Sequence, residues 1–253
     1  MRTILIVGIG AGDPEFLTLQ AISALQRADV VFLPEKSEEK AGLNAVRLRV
    51  LERAVPDGGH RIVPFDVPER RPAATPEYQG SIADWRAALQ DAYARLFSAQ
   101  LADGEAGAFL VWGDPSLYDG TLSILDDMRA TDAQLAVEVI PGISAVQALA
   151  AAHAIPLNRV GEAVTITTGR RVAAGQADQL TSFVVMLDSH AGWRRFAGED
   201  AEVYWGAYLG TADQLLVSGR VAAVQDEIER VRQAAQQRHG WIMDTYLIRR
   251  GER

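Results

Sequence analysis

The sequence predicts an α/β protein of two domains, on three observations. Apolar runs of strand length alternate with helix-length segments from Thr3 to about Ala154. The stretch Ile155-Pro156-Leu157-Asn158-Arg159 breaks that pattern, because proline pushes its predecessor out of helical geometry. Beyond it, strand-length runs follow one another with a single clear helix. The expected domains are residues 1–155 and 160–253. With 253 residues, 48% of them hydrophobic, the chain has enough apolar side chain to build a core in each.

Ile4 to Ile9 is a continuous apolar run, as expected of a strand covered on both faces. Pro14 to Gln26 reads as a helix capped by Asp13, with Pro14 in a first turn that needs no N–H. Val30 to Leu33 is the next strand. Glu77 to Leu101 is a long helix that places Trp85, Leu89, Tyr93 and Leu96 on one face. Ala108 to Trp112 and Val137 to Ile140 are strands, with Leu122 to Met128 in the helix between them and Ser144 capping a helix from Ala145 to Ala152. In the second domain, Ala163–Thr167, Phe183–Leu187, Val203–Trp205, Gln214–Val217 and Trp241–Ile248 are strand candidates. The helix lies between about Val221 and Gln237, and a partly antiparallel sheet fits the series. The segment from Pro64 to Pro76, rich in Pro and Arg, reads as a loop.

Composition narrows the function classes. A formal net charge of −8 argues against sliding on DNA or docking on an anionic membrane. The chain has no cysteine, which excludes disulfides, iron–sulfur clusters and thiolate catalysis. His60, His153, His190 and His239 show no metal-ligand spacing, so no metal is expected. The apolar run near Met1 is too short to span a bilayer and reads as a buried strand, which makes the cytoplasm the expected location.

Three glycine loops follow predicted strands. The first is Gly8-Ile9-Gly10-Ala11-Gly12-Asp13-Pro14. A dinucleotide fingerprint starting at Gly8 would need its third glycine at Asp13, where a carboxylate would oppose a pyrophosphate, so NAD is disfavoured even with Glu35 available as a ribose acid. The second is Trp112-Gly113-Asp114-Pro115-Ser116-Leu117-Tyr118, and the third is Pro141-Gly142-Ile143-Ser144-Ala145. Any one Gly-Asp-Pro is ordinary turn chemistry. Three such loops at strand ends in one domain point to a ligand crevice, because ligands of open α/β sheets gather beyond the carboxyl ends of the strands.

The three loops, in this order, resemble the motifs of the tetrapyrrole methylases, with Leu17-Thr18, Thr167-Thr168-Gly169-Arg170 and Val185-Met186-Leu187 extending the likeness. The segments Trp112–Asp119, Tyr204–Thr211 and Gly240–Tyr246 are similar to the branch that methylates carbon one of a corrin precursor, precorrin-5, and releases acetate. The resemblance implies a class III S-adenosylmethionine methyltransferase fold, the donor bound in the cleft between two domains, and a homodimer. It implies donor contacts from Trp112, Gly113, Asp114, Leu117, Tyr118, Gly142, Ile143, Ser144 and Ala145. Met186 and Leu187 are implied as an adenine wall, with Ala207, Tyr208 and Ile242 beside it. It places Gly10, Ala11, Gly12 and Asp13 on the substrate side.

A polycarboxylate macrocycle calls for arginines, since guanidinium–carboxylate pairs orient as well as bind. Arg61, Arg70, Arg71, Arg170 and Arg171 are the candidates, although with 23 Arg against 2 Lys such pairs also arise by chance. Release of acetate needs a general base, for which Asp13 is the candidate; its alternative is to cap the helix that follows. Other readings are a methylase of the same fold acting at another ring position or on RNA or protein, and a carrier of macrocycle or donor without turnover. The acidic balance weighs against RNA, and intact glycine loops weigh against a carrier.

Overall fold

The computed structural model describes residues 1–35, 41–56, 58–68 and 78–251. The chain divides into two compact units, Met1–Gly10 with Pro14–Gly142, and Ala11–Asp13 with Ile143–Arg253. Arg70 and Arg71 lie outside the described residues.

The first unit is a five-stranded parallel sheet in the order β3-β2-β4-β1-β5. Its strands are β1 (Arg2–Gly8), β2 (Val30–Glu35), β3 (Arg61–Asp66), β4 (Ala106–Val111) and β5 (Leu135–Ile140). Its helices are α1 (Leu19–Gln26), α2 (Ala41–Ala54), α3 (Tyr78–Gln100) and α4 (Thr121–Arg129). Side chains alternate across a strand, so β1 feeds both faces of the sheet. Leu5 and Val7 meet Leu25 of α1 and Val50 of α2 on one face. Ile4 and Ile6 meet Leu89 and Tyr93 of α3 and Ile124 of α4 on the other. These apolar runs are therefore uninterrupted because both sides are covered.

Two features of this unit differ from expectation. The helix predicted over Pro14–Gln26 is split: Pro14–Phe16 forms a single 3-10 turn and α1 begins at Leu19. Its cap is Thr18, whose hydroxyl accepts the Ala21 N–H at 3.0 Å, so Asp13 does not cap it. The predicted loop from Pro64 begins inside β3, an edge strand that pairs only with β2. Proline is tolerated there because an edge strand leaves one row of N–H groups without ladder partners.

The second unit is a mixed sheet in the order β6-β7-β10-β8-β9. Its strands are β6 (Thr165–Thr168), β7 (Ser182–Met186), β8 (Ala201–Ala207), β9 (Leu215–Arg220) and β10 (Asp244–Arg250). Only β6 and β7 run parallel; the other pairs are antiparallel. Three helices belong to this unit: α5 (Ala145–Ala152), α6 (Gly169–Ala173) and α7 (Val221–His239). Trp193, Trp205, Phe183, Phe196 and Tyr246 are fully buried in one cluster that α7 closes with Ile228 and Ala235. The units part at Gly142–Ile143 rather than at the proline segment, because α5 packs on β8 and β10.

A side chain at Gly142 has no room: a Cβ there would lie 2.2 Å from the Gly113 carbonyl oxygen. Gly142→Ala is therefore expected to lower stability by about 1–3 kcal/mol, the usual cost of overpacking, measured by thermal or urea unfolding. An unchanged midpoint would mean that the loops can part freely.

Candidate active site

Strand register brings the nominated loops of the first unit to one edge. Gly8 pairs with Val111 and Val7 with Ile140, so the loops after β1, β4 and β5 all leave from the carboxyl ends of the strands. Two of them are joined directly, backbone to backbone. Gly10 and Gly113 exchange hydrogen bonds of 3.2 and 2.9 Å, both with positive φ (78° and 70°). A Cβ on Gly8 would stand 2.6 Å from the Gly142 nitrogen. Glycine is needed at these points because neither the torsion nor the approach tolerates a side chain.

Asp114 ties two of these loops together. One carboxylate oxygen accepts the Ser116 N–H at 2.8 Å and the Ser116 hydroxyl; the other accepts the Gly142 N–H at 2.9 Å. Partial desolvation pushes its pKa up. The hydrogen bonds from the Ser116 hydroxyl, Gly142 and the Ser116 N–H outweigh that push, and the net shift is downward. Leu117 is half-buried in the same turn. Tyr118 is 45% exposed with φ of 56°, in the left-handed region that bulky residues rarely adopt. Trp112 is half-buried and packs on the core beneath α1 and α2.

A further residue at this edge, Arg47 of α2, is absent from the sequence-based candidates. β2 and β4 separate after the Phe32–Phe109 pair, whereas β1 stays paired with β4 as far as Gly8–Val111. Asn44 donates to the Pro34 carbonyl at 2.9 Å, and Arg47 Nε donates to the Leu110 carbonyl at 3.2 Å, so one turn of α2 bridges the split. Arg47 is 7% exposed and has no ion pair among the described residues. Burial lowers its pKa, opposed by the charge of Asp119. Arg61 lies at the opposite edge. It opens β3, pairs with Glu105 at 3.0 Å and donates to the Gln100 carbonyl at 2.9 Å, which removes it from the crevice end of the sheet.

The second unit shows the same convergence. Thr168 pairs with Met186, Met186 with Thr245, and Asp244 with Ala207. The ends of β6, β7 and β8 and the start of β10 therefore share one edge. That edge carries Met186 and Leu187, Ala207 and Tyr208, Ile242, and Arg170 and Arg171 of α6. Leu187 is 66% exposed at φ 54°, and Tyr208 is buried at φ 50°. Of the five non-glycine residues with positive φ among those described, three are Tyr118, Leu187 and Tyr208, all nominated from the sequence. Such strain concentrates where a ligand or switch requires it.

Ala11, Gly12 and Asp13 group with this second unit. A Cβ on Gly12 would lie 2.6 Å from the Thr211 methyl carbon, and Asp13 is half-buried. The Ser144 hydroxyl accepts the Val146 N–H at 3.1 Å within a capping box completed by Gln147. It is thereby committed to starting α5, with Ile143 and Ala145 half-buried on either side. Trp205, beside the turn that follows β8, is fully buried. No group of three or more His, Cys, Asp or Glu among the described residues is placed to hold a metal.

Two outcomes are expected from this geometry. Because the Asp114 pKa is lowered on folding, its contribution to stability is present above the ordinary value of 3.8 and is lost as pH falls through the lowered value. Urea unfolding at pH 3 and pH 6 is expected to show a steeper acid loss in the wild type than in Asp114→Asn; equal losses would remove this carboxylate from the acid response. Leu187→Gly relieves left-handed strain at an exposed site and is expected to raise stability by about 1 kcal/mol in thermal unfolding. A lower midpoint would show that the Leu187 side chain packs well enough to outweigh that strain.

Comparison with known proteins gives this geometry a lineage. Residues 3–225 match the family described as Tetrapyrrole (Corrin/Porphyrin) Methylases. The chain is 48% identical to a deacetylating precorrin-6A synthase from Sinorhizobium sp, over 99% of this chain and 96% of that protein. It is 30% identical to the chloroplastic S-adenosyl-L-methionine-dependent uroporphyrinogen III methyltransferase of Arabidopsis thaliana, over 73% of this chain and 46% of that one. Among solved structures it resembles a cobalamin-synthesis-related protein (CobF) from Corynebacterium diphtheriae, with a TM-score of 0.84, 40% identity and both chains fully covered. This chain belongs to the tetrapyrrole methylase family.

Proposed function

We propose that this protein converts precorrin-5 to precorrin-6A, transferring a methyl group to carbon one of the ring with release of acetate. The observation that carries this reading is the 48% identity over nearly the full length of both chains. Relatives named for other ring positions fall to about 30% over shorter stretches, the C(20)-methyltransferase of precorrin-2 among them. The methyl donor is S-adenosylmethionine.

When bound, S-adenosylmethionine supplies an already activated methyl group, so the protein has mainly to orient and to exclude water. The residues present suit that task. In the first unit, Gly113 leaves backbone bare, and Leu117 and Tyr118 stand in the turn that Asp114 holds; Asp114 itself is read as a positioning group. In the second unit, Met186 and the exposed face of Leu187 offer an apolar surface to an adenine ring, beside Ala207, Tyr208 and Ile242. Ser144 acts by fixing the backbone that carries Ile143 and Ala145.

For the macrocycle, Gly10 to Asp13 and the exposed Arg170 and Arg171 are the substrate-side assignments; Arg61 is dropped because it is paired at the far edge of its sheet. Release of acetate requires water to attack the acetyl carbonyl while a base accepts its proton; the bond from that carbonyl carbon to the macrocycle then breaks, the conjugated ring takes the electron pair, and we assign the role of base to Asp13. Family likeness further supports a cytoplasmic homodimer, which sedimentation of the purified protein would test. No helix among the described residues is long and apolar enough to cross a membrane.

The test is a single incubation with labelled S-adenosylmethionine and precorrin-5, read by mass analysis and an acetate assay. The expected product gains one methyl group as acetate appears. Methylation without acetate would keep the family and sink the specific reaction; donor binding without turnover would favour a carrier. Asp13→Asn is expected to slow acetate release by about 100-fold or more. Full acetate release by that variant would take Asp13 out of the mechanism.

A further inference from the structure

The second unit contains a buried ionic network that methyl transfer itself does not use. Asp188, one residue past Leu187, is 5% exposed. Its carboxylate accepts the N–H groups of His190 (2.8 Å) and Gly192 (2.7 Å) and the Tyr246 hydroxyl (2.7 Å). Asp244, at the start of β10, accepts the Trp205 indole N–H at 3.1 Å. A single cation joins the two. Arg232 of α7 donates from Nη2 to the Asp188 backbone carbonyl and from Nε to the Asp244 carboxylate, each at 2.9 Å.

Three bonds of this network, those involving the His190 and Gly192 N–H groups and the Asp188 carbonyl, run to backbone outside the strands. The segment from Leu187 to Ala191 holds two residues in the left-handed region, at φ 54° each, and the Asp188 carboxylate collects the N–H groups that such a bend turns inward. At the other end of Arg232, Asp244 follows Met243, whose carbonyl accepts the Tyr208 N–H at 3.0 Å. The Tyr208 hydroxyl in turn donates to the Trp241 carbonyl at 2.5 Å. One guanidinium therefore connects the three segments that carry Leu187, Tyr208 and Ile242.

Stability alone does not account for the arrangement. The apolar cluster of Trp193, Trp205, Phe183 and Tyr246 already closes this core. Burying an ion pair costs desolvation that well-packed apolar side chains avoid. That cost is visible at Asp244, whose pKa burial pushes up against the opposing effect of Arg232 and the Trp205 bond.

We propose that Arg232 is a positioning residue for the methyl donor: by spanning the Asp188 carbonyl and the Asp244 carboxylate it holds the segments of Leu187, Tyr208 and Ile242 in register and so sets donor affinity without touching the donor. The proposal rests on the reading of those three residues as donor contacts. Lysine keeps the charge but replaces two donors on separate nitrogens of a rigid plane with one flexible ammonium nitrogen, so it does not reproduce the two-pronged span.

The experiment uses full-length Arg232→Lys, with S-adenosylhomocysteine binding followed by calorimetry and steady-state kinetics run against each substrate. The Kd for S-adenosylhomocysteine and the KM for the donor are expected to rise about tenfold, the usual scale for outer-shell partners of a site. The kcat and the KM for the tetrapyrrole are expected to stay within about twofold, the pattern of lost ground-state positioning. If Arg232→Lys does not fold, Tyr246→Phe removes one bond to Asp188 while keeping the ring in the core, and the same donor-only rise is expected. A variant with native circular dichroism whose donor Kd and KM are unchanged overturns the proposal, as does a fall in kcat with donor binding intact. A wild-type protein that binds no S-adenosylhomocysteine overturns the donor reading beneath it instead, so the two failures are distinct.

Discussion

The first unit is organised by the close approach of three backbone segments, at Gly8, Gly113 and Gly142. Room for any side chain is absent there, since a Cβ on Gly142 would fall 2.2 Å from the Gly113 oxygen and one on Gly8 would fall 2.9 Å from the same atom. β1 therefore ends in glycine, the loops after β4 and β5 place glycine two residues past Val111 and Ile140, and the three meet in a short frame with no side chain between them. Asp114 completes the frame by holding the Gly142 N–H and the Ser116 turn with one carboxylate.

The second unit reaches the same end by the opposite means. Its edge is held by long side chains reaching in from behind: Arg232 from α7, Tyr246 from β10, and Trp205 from β8. The residues in front of them, Leu187 and Tyr208, have the unfavourable torsions. The mixed sheet explains the difference. From β7 onward its strands leave a given edge alternately as ends and beginnings, so three neighbouring turns do not interlock as the three glycine loops do, and buried polar bonds do the fastening.

Much of this was legible in the chain. Glycine and proline punctuate the three loops of the first unit, and continuous apolar runs mark its central strands, so both the fold class and the placing of these loops at strand ends could be read directly. What was missed has physical causes. β3 was hidden because Arg61-Ile62-Val63-Pro64-Phe65-Asp66 is an exposed edge strand with proline inside it. α2 was missed with it, and with α2 went Arg47, since a lone arginine on a helix gives no sign that it will fill a gap between strands. Asp13 and Thr18 are both plausible caps in sequence; only the 3-10 turn between them decides for Thr18. Arg61 opens its strand and pairs with Glu105, a placement that composition cannot give.

The division of the chain has a consequence for how such a protein can be cut or recombined. Ala11 to Asp13 belong to the second unit although they stand only a few residues from the amino terminus, and the chain returns to the first unit at Pro14. Gly12 sits against Thr211 so closely that a methyl group on it would meet the threonine methyl at 2.6 Å. A fragment beginning at Ile143 would thus lack a piece of its own packing, and no single cut yields two self-sufficient halves. Exchange of halves between relatives at that point would leave those three residues with the first unit and separate Gly12 from its own Thr211.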